Sequence, residues 1–294
     1  MSFATRYISH PMQALGAFLF YWGFRLLPFV VASAIGGWVG RNIGPKLSVT
    51  KRAHRNITRV FPDKPDVEVD RLIVGMWDNL GRLAGEYPHL GRIDVYDPKG
   101  PVEVVGREYV EQLRDDDGPG IFVSAHIGNW ELVPLSGSQL GLPIDRVYRA
   151  ANNRLVEWLY RQGRAATEGA LIPKGPAGAR MLLKSLKSGQ HLGVLMDQKM
   201  NDGIAVPFFG RDAMTAPAIA ELALRFECPV VPVHIERLGG AKFRIILEPP
   251  LDIEISGDRQ KDVFALMVQI NSRIEDWVRA RPEQWLWLHN RWSD

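Results

Sequence analysis

Ile121-Phe122-Val123-Ser124-Ala125-His126-Ile127-Gly128-Asn129-Trp130-Glu131 is the stretch whose reading decides the fold. The turn signal Asp117-Gly118-Pro119-Gly120 precedes it, and the apolar run 121–123 has the character of a buried strand. The strand delivers His126 into a loop, where Gly128 supplies a bend and Asn129 is placed to cap a helix starting at Trp130. Glu131 then falls in the first helical turn, where the helix dipole favours a carboxylate. On one regular helix, five residues at about 100° each would turn the His126 and Glu131 side chains roughly 140° apart. Contact between them therefore requires His126 to sit ahead of the helix, on the strand end or turn. A histidine held there by a carboxylate can act as a general base, although a lone histidine after a strand is more often a hydrogen-bonded structural residue.

Outward from this stretch, strands and helices alternate. Strands are predicted at 102–105, 120–125, 144–149, 191–196, 229–235 and 242–248. Helices are predicted at 107–115, 129–139, 152–165, 176–188, 216–227 and 259–279. The alternation predicts an α/β fold, with a mixed, mostly parallel central sheet flanked by helices. Residues 66–90 read as a further helix, with Leu72, Met76, Leu80, Leu83 and Ala84 on one face. There is no internal repeat and no low-complexity linker. The economical division is an N-terminal anchor over residues 1–42 and one catalytic domain over 43–294.

The 294 residues suffice for a substantial core, and a hydrophobic content of 46% excludes a multi-span membrane protein. The single cysteine, Cys228, excludes an intramolecular disulfide framework and fits a reducing compartment. The seven histidines show no zinc spacing, so neither a metal nor a cofactor is expected. Residues 11–40 carry one charge, Arg25, which divides two apolar segments each shorter than the roughly 20 residues that span a bilayer. Together they predict a retained membrane anchor, either spanning with Arg25 snorkelling or lying in the interface as a hairpin broken near Pro28. Ala32-Ser33-Ala34 resembles a signal-peptide cleavage site, but Arg25 close before it argues for retention. Arg41, Lys46, Lys51, Arg52, Arg55 and Arg59 follow with no acidic residue before Asp63. Just beyond an apolar anchor, such a run suits an anionic membrane surface and a cytoplasmic orientation. Without aromatic interleaving it does not suggest nucleic acid.

Further segments carry candidate chemistry. Arg149 ends a predicted strand and Arg161 and Arg164 end the following helix, where guanidinium groups suit a phosphate clamp. Asp197-Gln198 closes the strand Gly193–Met196, so Asp197 is a candidate to orient His126 or to shape the pocket, with a turn cap as the rival. Phe208 and Phe209 in Val206-Pro207-Phe208-Phe209-Gly210-Arg211 are candidates to line an acyl pocket, with core packing as the rival. Thr215 reads as an N-cap, with Pro217 in the first turn. Trp285, Trp287 and Trp292, beside Arg279, Arg281 and Arg291, suit either a membrane interface or an aromatic cap on the sheet.

The His-x4-Glu pattern, with Gly-Asn-Trp inside it, resembles the motif of the membrane acyltransferases that acylate lipid A precursors. The resemblance continues in order through Arg149–Asn152, Asp197-Gln198, Pro207-Phe208-Phe209-Gly210, Thr215, Glu248-Pro249-Pro250 and Arg281-Pro282-Glu283-Gln284-Trp285-Leu286-Trp287. It implies transfer of a fatty acyl chain from acyl-acyl carrier protein to a hydroxyl of a membrane-embedded glycolipid, a lipid A precursor, at the inner membrane. His126 and Glu131 are then the catalytic pair. Asn129, Arg149, Arg164, Asp197, Phe208, Phe209 and Thr215 are the substrate-contacting candidates. No protein nucleophile is implied, because no Gly-x-Ser-x-Gly elbow is present. The alternatives are acyl transfer to, or ester hydrolysis of, another membrane glycolipid or phospholipid.

Overall fold

The computed structural model describes residues 10–292. Its N-terminal part is four helices, α1 (His10–Leu26), α2 (Phe29–Ile43), α3 (Thr50–Val60) and α4 (Asp66–Glu86). α1 and α2 are separated by a break at Leu27–Pro28, where proline cannot continue a helix from the residue before it; α1 packs on α7 and α2 on α4. Residues 1–9 of the expected anchor lie outside the described residues. No helix among the described residues is long and apolar enough to cross a membrane. α2 instead lies along α4 in close backbone contact, made through Ala32, Gly36 and Gly40 against Trp77, Gly81 and Gly85. A Cβ at Gly36 would stand 2.2 Å from the Gly81 carbonyl oxygen, and one at Gly40 2.0 Å from that of Trp77. Only glycine allows that approach. The two helices leave Leu15, Leu19, Trp22, Leu26, Val30 and Trp38 exposed. α3 buries Ala53, Asn56, Ile57 and Val60 and exposes Lys51, Arg52 and Arg55.

The strands are β1 (Val102–Val105), β2 (Ile121–Ser124), β3 (Ile144–Tyr148), β4 (Leu171–Pro173), β5 (His191–Leu195), β6 (Ile204–Phe208), β7 (Arg211–Thr215), β8 (Val230–Gly239) and β9 (Lys242–Leu247). Seven of them form one sheet in the order β1-β9-β8-β2-β5-β3-β4. Every pairing in it is parallel except β8–β9. The helices α5 (Arg107–Asp115), α6 (Leu132–Gln139), α7 (Arg154–Gly163), α8 (Pro176–Lys187), α9 (Ala218–Phe226) and α10 (Arg259–Ala280) connect and flank the strands. β2 is buried on both faces: Ile121 and Val123 enter one core cluster and Phe122 the other. A parallel strand covered on both sides reads in sequence as a continuous apolar run, which is what 121–123 displays.

The mixed, mostly parallel sheet is as expected, with two additions. β4 is too short to show a period. β6 and β7 form a separate antiparallel hairpin, in a segment read from sequence only as an aromatic pair before a cap. Its two-residue turn places Phe209 at φ 53° and Gly210 at φ 68°, the left-handed pair of a type I′ turn. Phe209 tolerates this while its N–H donates to Glu275 Oε1 at 2.6 Å and Arg279 lies 4.7 Å over its ring. Two helix starts also differ from expectation. α6 begins at Leu132, and Asn129 does not cap it: its Nδ2 donates to Glu86 Oε2 while its Oδ1 accepts no hydrogen bond among the described residues. α9 begins at Ala218, because Thr215 completes β7 and its hydroxyl donates to the Ala213 carbonyl.

Candidate active site

The site is built at the carboxyl ends of two adjacent parallel strands. β2 and β5 pair in register through Ser124↔Leu195, so residues two positions beyond each strand, His126 and Asp197, come out side by side. Open α/β sheets place ligands in this crevice. His126 Nδ1 lies 2.7 Å from Asp197 Oδ1, and the His126 backbone N–H donates to Oδ2 at 2.9 Å. Trp285 Nε1 donates to the same Oδ2 at 2.8 Å. Burial alone would raise the Asp197 carboxyl. The neighbouring His126 ring, its hydrogen bonds and the His289 ring outweigh that and hold the carboxyl well below the usual carboxylate range. An ionised Asp197 accepts the Nδ1 proton, which leaves His126 Nε2 as the basic nitrogen.

Glu131 is placed differently from the expected pair. Its two oxygens take Arg164 Nε at 2.9 Å and Nη2 at 2.5 Å. The contact that orients the imidazole falls to Asp197, the other carboxylate considered for it. The reason is the chain path: the turn at 129–131 carries Glu131 toward the end of α7, whereas strand register brings Asp197 to the histidine. Arg164 is largely buried, with the Tyr87 and Tyr160 rings about 6 Å from its guanidinium. Burial lowers its proton affinity, but the bidentate bond to Glu131 more than restores it. Arg161 pairs with Glu157 on its own helix. Arg149 is exposed just past β3, on the same edge of the sheet as His126.

The C-terminal segment closes the site from the other side. Ile127 bridges Trp285, Leu286 N–H donates to the His126 carbonyl at 3.0 Å, and Gly128 N–H donates to Gln284 O at 3.2 Å. Trp285, Trp287 and Trp292 are buried. The membrane-interface reading of these tryptophans is therefore corrected in favour of the aromatic cap. Phe208 belongs to that cap, stacked on Trp292 at 5.6 Å and edge-on to Trp285 at 5.9 Å. Phe208 is fully buried and Phe209 nearly so. Arg291 is also enclosed, over the Phe208 ring and donating to Thr215 Oγ1 at 2.8 Å.

Two residues that sequence reasoning gave no role stand beside the base. The His289 ring is 4.7 Å from that of His126. Burial pushes it down to about 4; Asp197 partly opposes this, while His126, Lys174 and Arg52 reinforce it. Asn56 holds the segment by donating to the Trp287 and His289 carbonyls. Gln198 Nε2 lies 3.4 Å from His126 Nε2. The only sequence signal for His289 is its place just after the Trp285–Trp287 block. His126, Asp197 and His289 also bring three ligand-type atoms within 4.8 Å of one another, drawn from segments too far apart for any spacing rule. Both Asp197 oxygens already accept hydrogen bonds, which suits a dyad more than a metal ligand.

Behind the loop, an enclosed polar cluster fixes its position. Arg237 pairs with Glu86 at 2.6 Å, and Glu86 also accepts from Ser33 on α2 and from Asn129. Asn79 accepts from Arg237 and donates to the Gly128 and Gln284 carbonyls. α2, α4, β8 and the histidine loop thus meet in one network.

Known proteins align with nearly all of this chain. It is 25% identical over 283 residues to the lipid A biosynthesis lauroyltransferase of Escherichia coli K12, covering 91% of this chain and 87% of that protein. It is 24% identical over 288 residues to a lipid A biosynthesis acyltransferase of Haemophilus influenzae, covering 91% and 86%. To the lipid A biosynthesis palmitoleoyltransferase of E. coli K12 it is 23% identical over 285 residues, covering 92% and 88%. The model of the bacterial lipid A biosynthesis acyltransferases matches residues 2–294, and the chain belongs to that family.

Proposed function

We propose that this chain transfers a fatty acyl group from the thioester of an acyl-acyl carrier protein to a hydroxyl of a lipid A precursor, with His126 as general base. Family membership supports acyl transfer in lipid A biosynthesis. The observation that carries the base assignment is the 2.7 Å contact of His126 Nδ1 with the buried Asp197, which keeps the ring proton on Nδ1 and the basic lone pair on Nε2. The acceptor hydroxyl loses its proton to Nε2 as its oxygen attacks the thioester carbonyl. Asp197 stabilises the imidazolium that forms, as the carboxylate of a hydrolytic triad does. Collapse of the adduct expels the thiolate, which takes the proton back from His126. Arg164, locked by Glu131, and Arg149 on the open edge are assigned to acidic groups of the acceptor.

We assign α1 and α2, with their exposed apolar residues, to the interface of the inner membrane and the catalytic domain to its cytoplasmic side. Lys51, Arg52 and Arg55 of α3 then face anionic head groups. The test is a transfer assay on detergent-solubilised protein with acyl-acyl carrier protein and a tetra-acylated lipid A precursor. A loss of at least about 10²-fold is expected for His126→Ala. Undiminished product from that variant removes His126 as the base. Release of free fatty acid by wild type, without acylated lipid, replaces the transferase with a hydrolase.

A further inference from the structure

An acyl transfer needs a donor for the carbonyl oxygen as well as a base for the hydroxyl. The backbone around His126 is partly committed: the amides of Asn129, Trp130 and Glu131 have no acceptor among the described residues, but others nearby do. Ile127 N–H donates to Ala125 O, Gly128 to Gln284 O, Leu132 to Asn129 O and Val133 to Trp130 O. Those four amides are already committed within the protein.

Gln198 is placed otherwise. It directly follows Asp197, so the strand end that sets the dyad also sets its position. Its Oε1 accepts from Lys174 Nζ at 3.0 Å, and its Nε2 lies 3.4 Å from His126 Nε2. An ammonium group can only donate, so Lys174 fixes which end of the amide is oxygen and turns the NH2 toward the histidine. Asp197 keeps the ring proton on Nδ1, so the NH2 faces the lone pair of the base. The attacking hydroxyl must come within about 3 Å of that nitrogen. An effective oxyanion donor stands about 2.7–3.1 Å from the developing charge. A fixed amide N–H beside the base nitrogen is within reach of an oxygen bonded to the same carbon as the attacking one.

We propose that Gln198 is a catalytic residue whose Nε2–H donates to the thioester carbonyl oxygen as it becomes an oxyanion, with Lys174 as its positioning residue. The inference rests on His126 acting as the base. In the step, the hydroxyl oxygen forms a bond to the carbonyl carbon and its proton passes to His126 Nε2. The carbonyl π pair moves onto oxygen, where it accepts from Gln198. Re-forming the carbonyl then breaks the C–S bond, and the thiolate takes the proton from His126.

The test compares wild type, His126→Ala, Gln198→Ala, Gln198→Glu, Lys174→Ala and Lys174→Arg in the same transfer assay, with thermal unfolding of each. Gln198→Ala should lower kcat about 10²- to 10³-fold with KM within about threefold. Gln198→Glu keeps the shape and loses the donor, so it should be no better than alanine; a side chain that merely fills space would tolerate the isostere. Lys174→Ala should lower kcat about tenfold, with Lys174→Arg recovering most of it. If His126→Ala is inactive but either Gln198 variant keeps kcat within about threefold, the Gln198 assignment falls and the base stands. A loss confined to KM, or a Gln198→Glu variant near wild type, overturns it equally. Activity in His126→Ala overturns the base reading itself.

Discussion

Replacing Asp197 with asparagine should reverse the histidine rather than unfold the site. Two N–H donors, Trp285 Nε1 and the His126 backbone, converge on Oδ2, while one donor, His126 Nδ1, meets Oδ1. Asparagine has a single carbonyl oxygen. Placing it at the Oδ1 position would leave two buried donors facing an NH2 group, at about 1–3 kcal/mol each. Placing it at the Oδ2 position satisfies both and turns the NH2 toward Nδ1. The ring must then accept at Nδ1 and carry its proton on Nε2, the nitrogen that has to take the substrate proton. The same tautomer reversal in a serine-protease triad costs about 10⁴-fold in kcat, equivalent to about 5.5 kcal/mol of barrier. Asp197→Asn should therefore lose about 10⁴-fold in single-turnover acyl transfer, with a small change in unfolding midpoint because both retained donors keep an acceptor. Histidine ¹⁵N chemical shifts would report the proton moving from Nδ1 to Nε2. A variant within about tenfold of wild type, or one that still holds its proton on Nδ1, refutes this account of the dyad.

Other outcomes follow from buried groups away from the reacting atoms. Arg237 and Glu86 are an enclosed pair with side-chain exposures of 6% and 0%, so Glu86→Ala leaves a buried guanidinium uncompensated and should cost about 3–5 kcal/mol in urea unfolding. The double change Glu86→Leu with Arg237→Met should cost clearly less; equal costs would show that charge burial is not the cause. His234 is buried against Trp277, with ring centroids 4.7 Å apart, and burial lowers it to about 4. Its folded form resists protonation, so nothing is lost above pH of about 6.5. Stability then falls as pH drops toward about 4, because the unfolded chain takes up the proton first, by at most about 3 kcal/mol. His234→Leu should flatten that part of a stability–pH curve, and an unchanged slope would place the acid sensitivity elsewhere.

Several features were legible along the chain because they depend on neighbours in sequence. Apolar runs bounded by glycine and proline marked the buried strands, and Pro28 marked the break between α1 and α2. The ordered motif blocks pointed to the acyltransferase family, which the family match bears out. The β6–β7 hairpin escaped notice because its turn uses a phenylalanine at positive φ, a conformation that Glu275 and Arg279, both distant in sequence, make tolerable.

The pairing of charges was the part that only tertiary structure decided. His126 and Glu131 are near in sequence, yet strand register sets His126 on Asp197, 71 residues away, and the end of α7 sets Arg164 on Glu131. The tryptophans read equally well as interface or core until the C-terminal segment was seen to fold under the histidine loop, where Trp285 donates to Asp197. Hydrophobic periodicity acts within one element and survives in a one-dimensional reading. Hydrogen bonds between elements depend on which strand ends adjoin, and in a parallel sheet the crossovers between strands settle that.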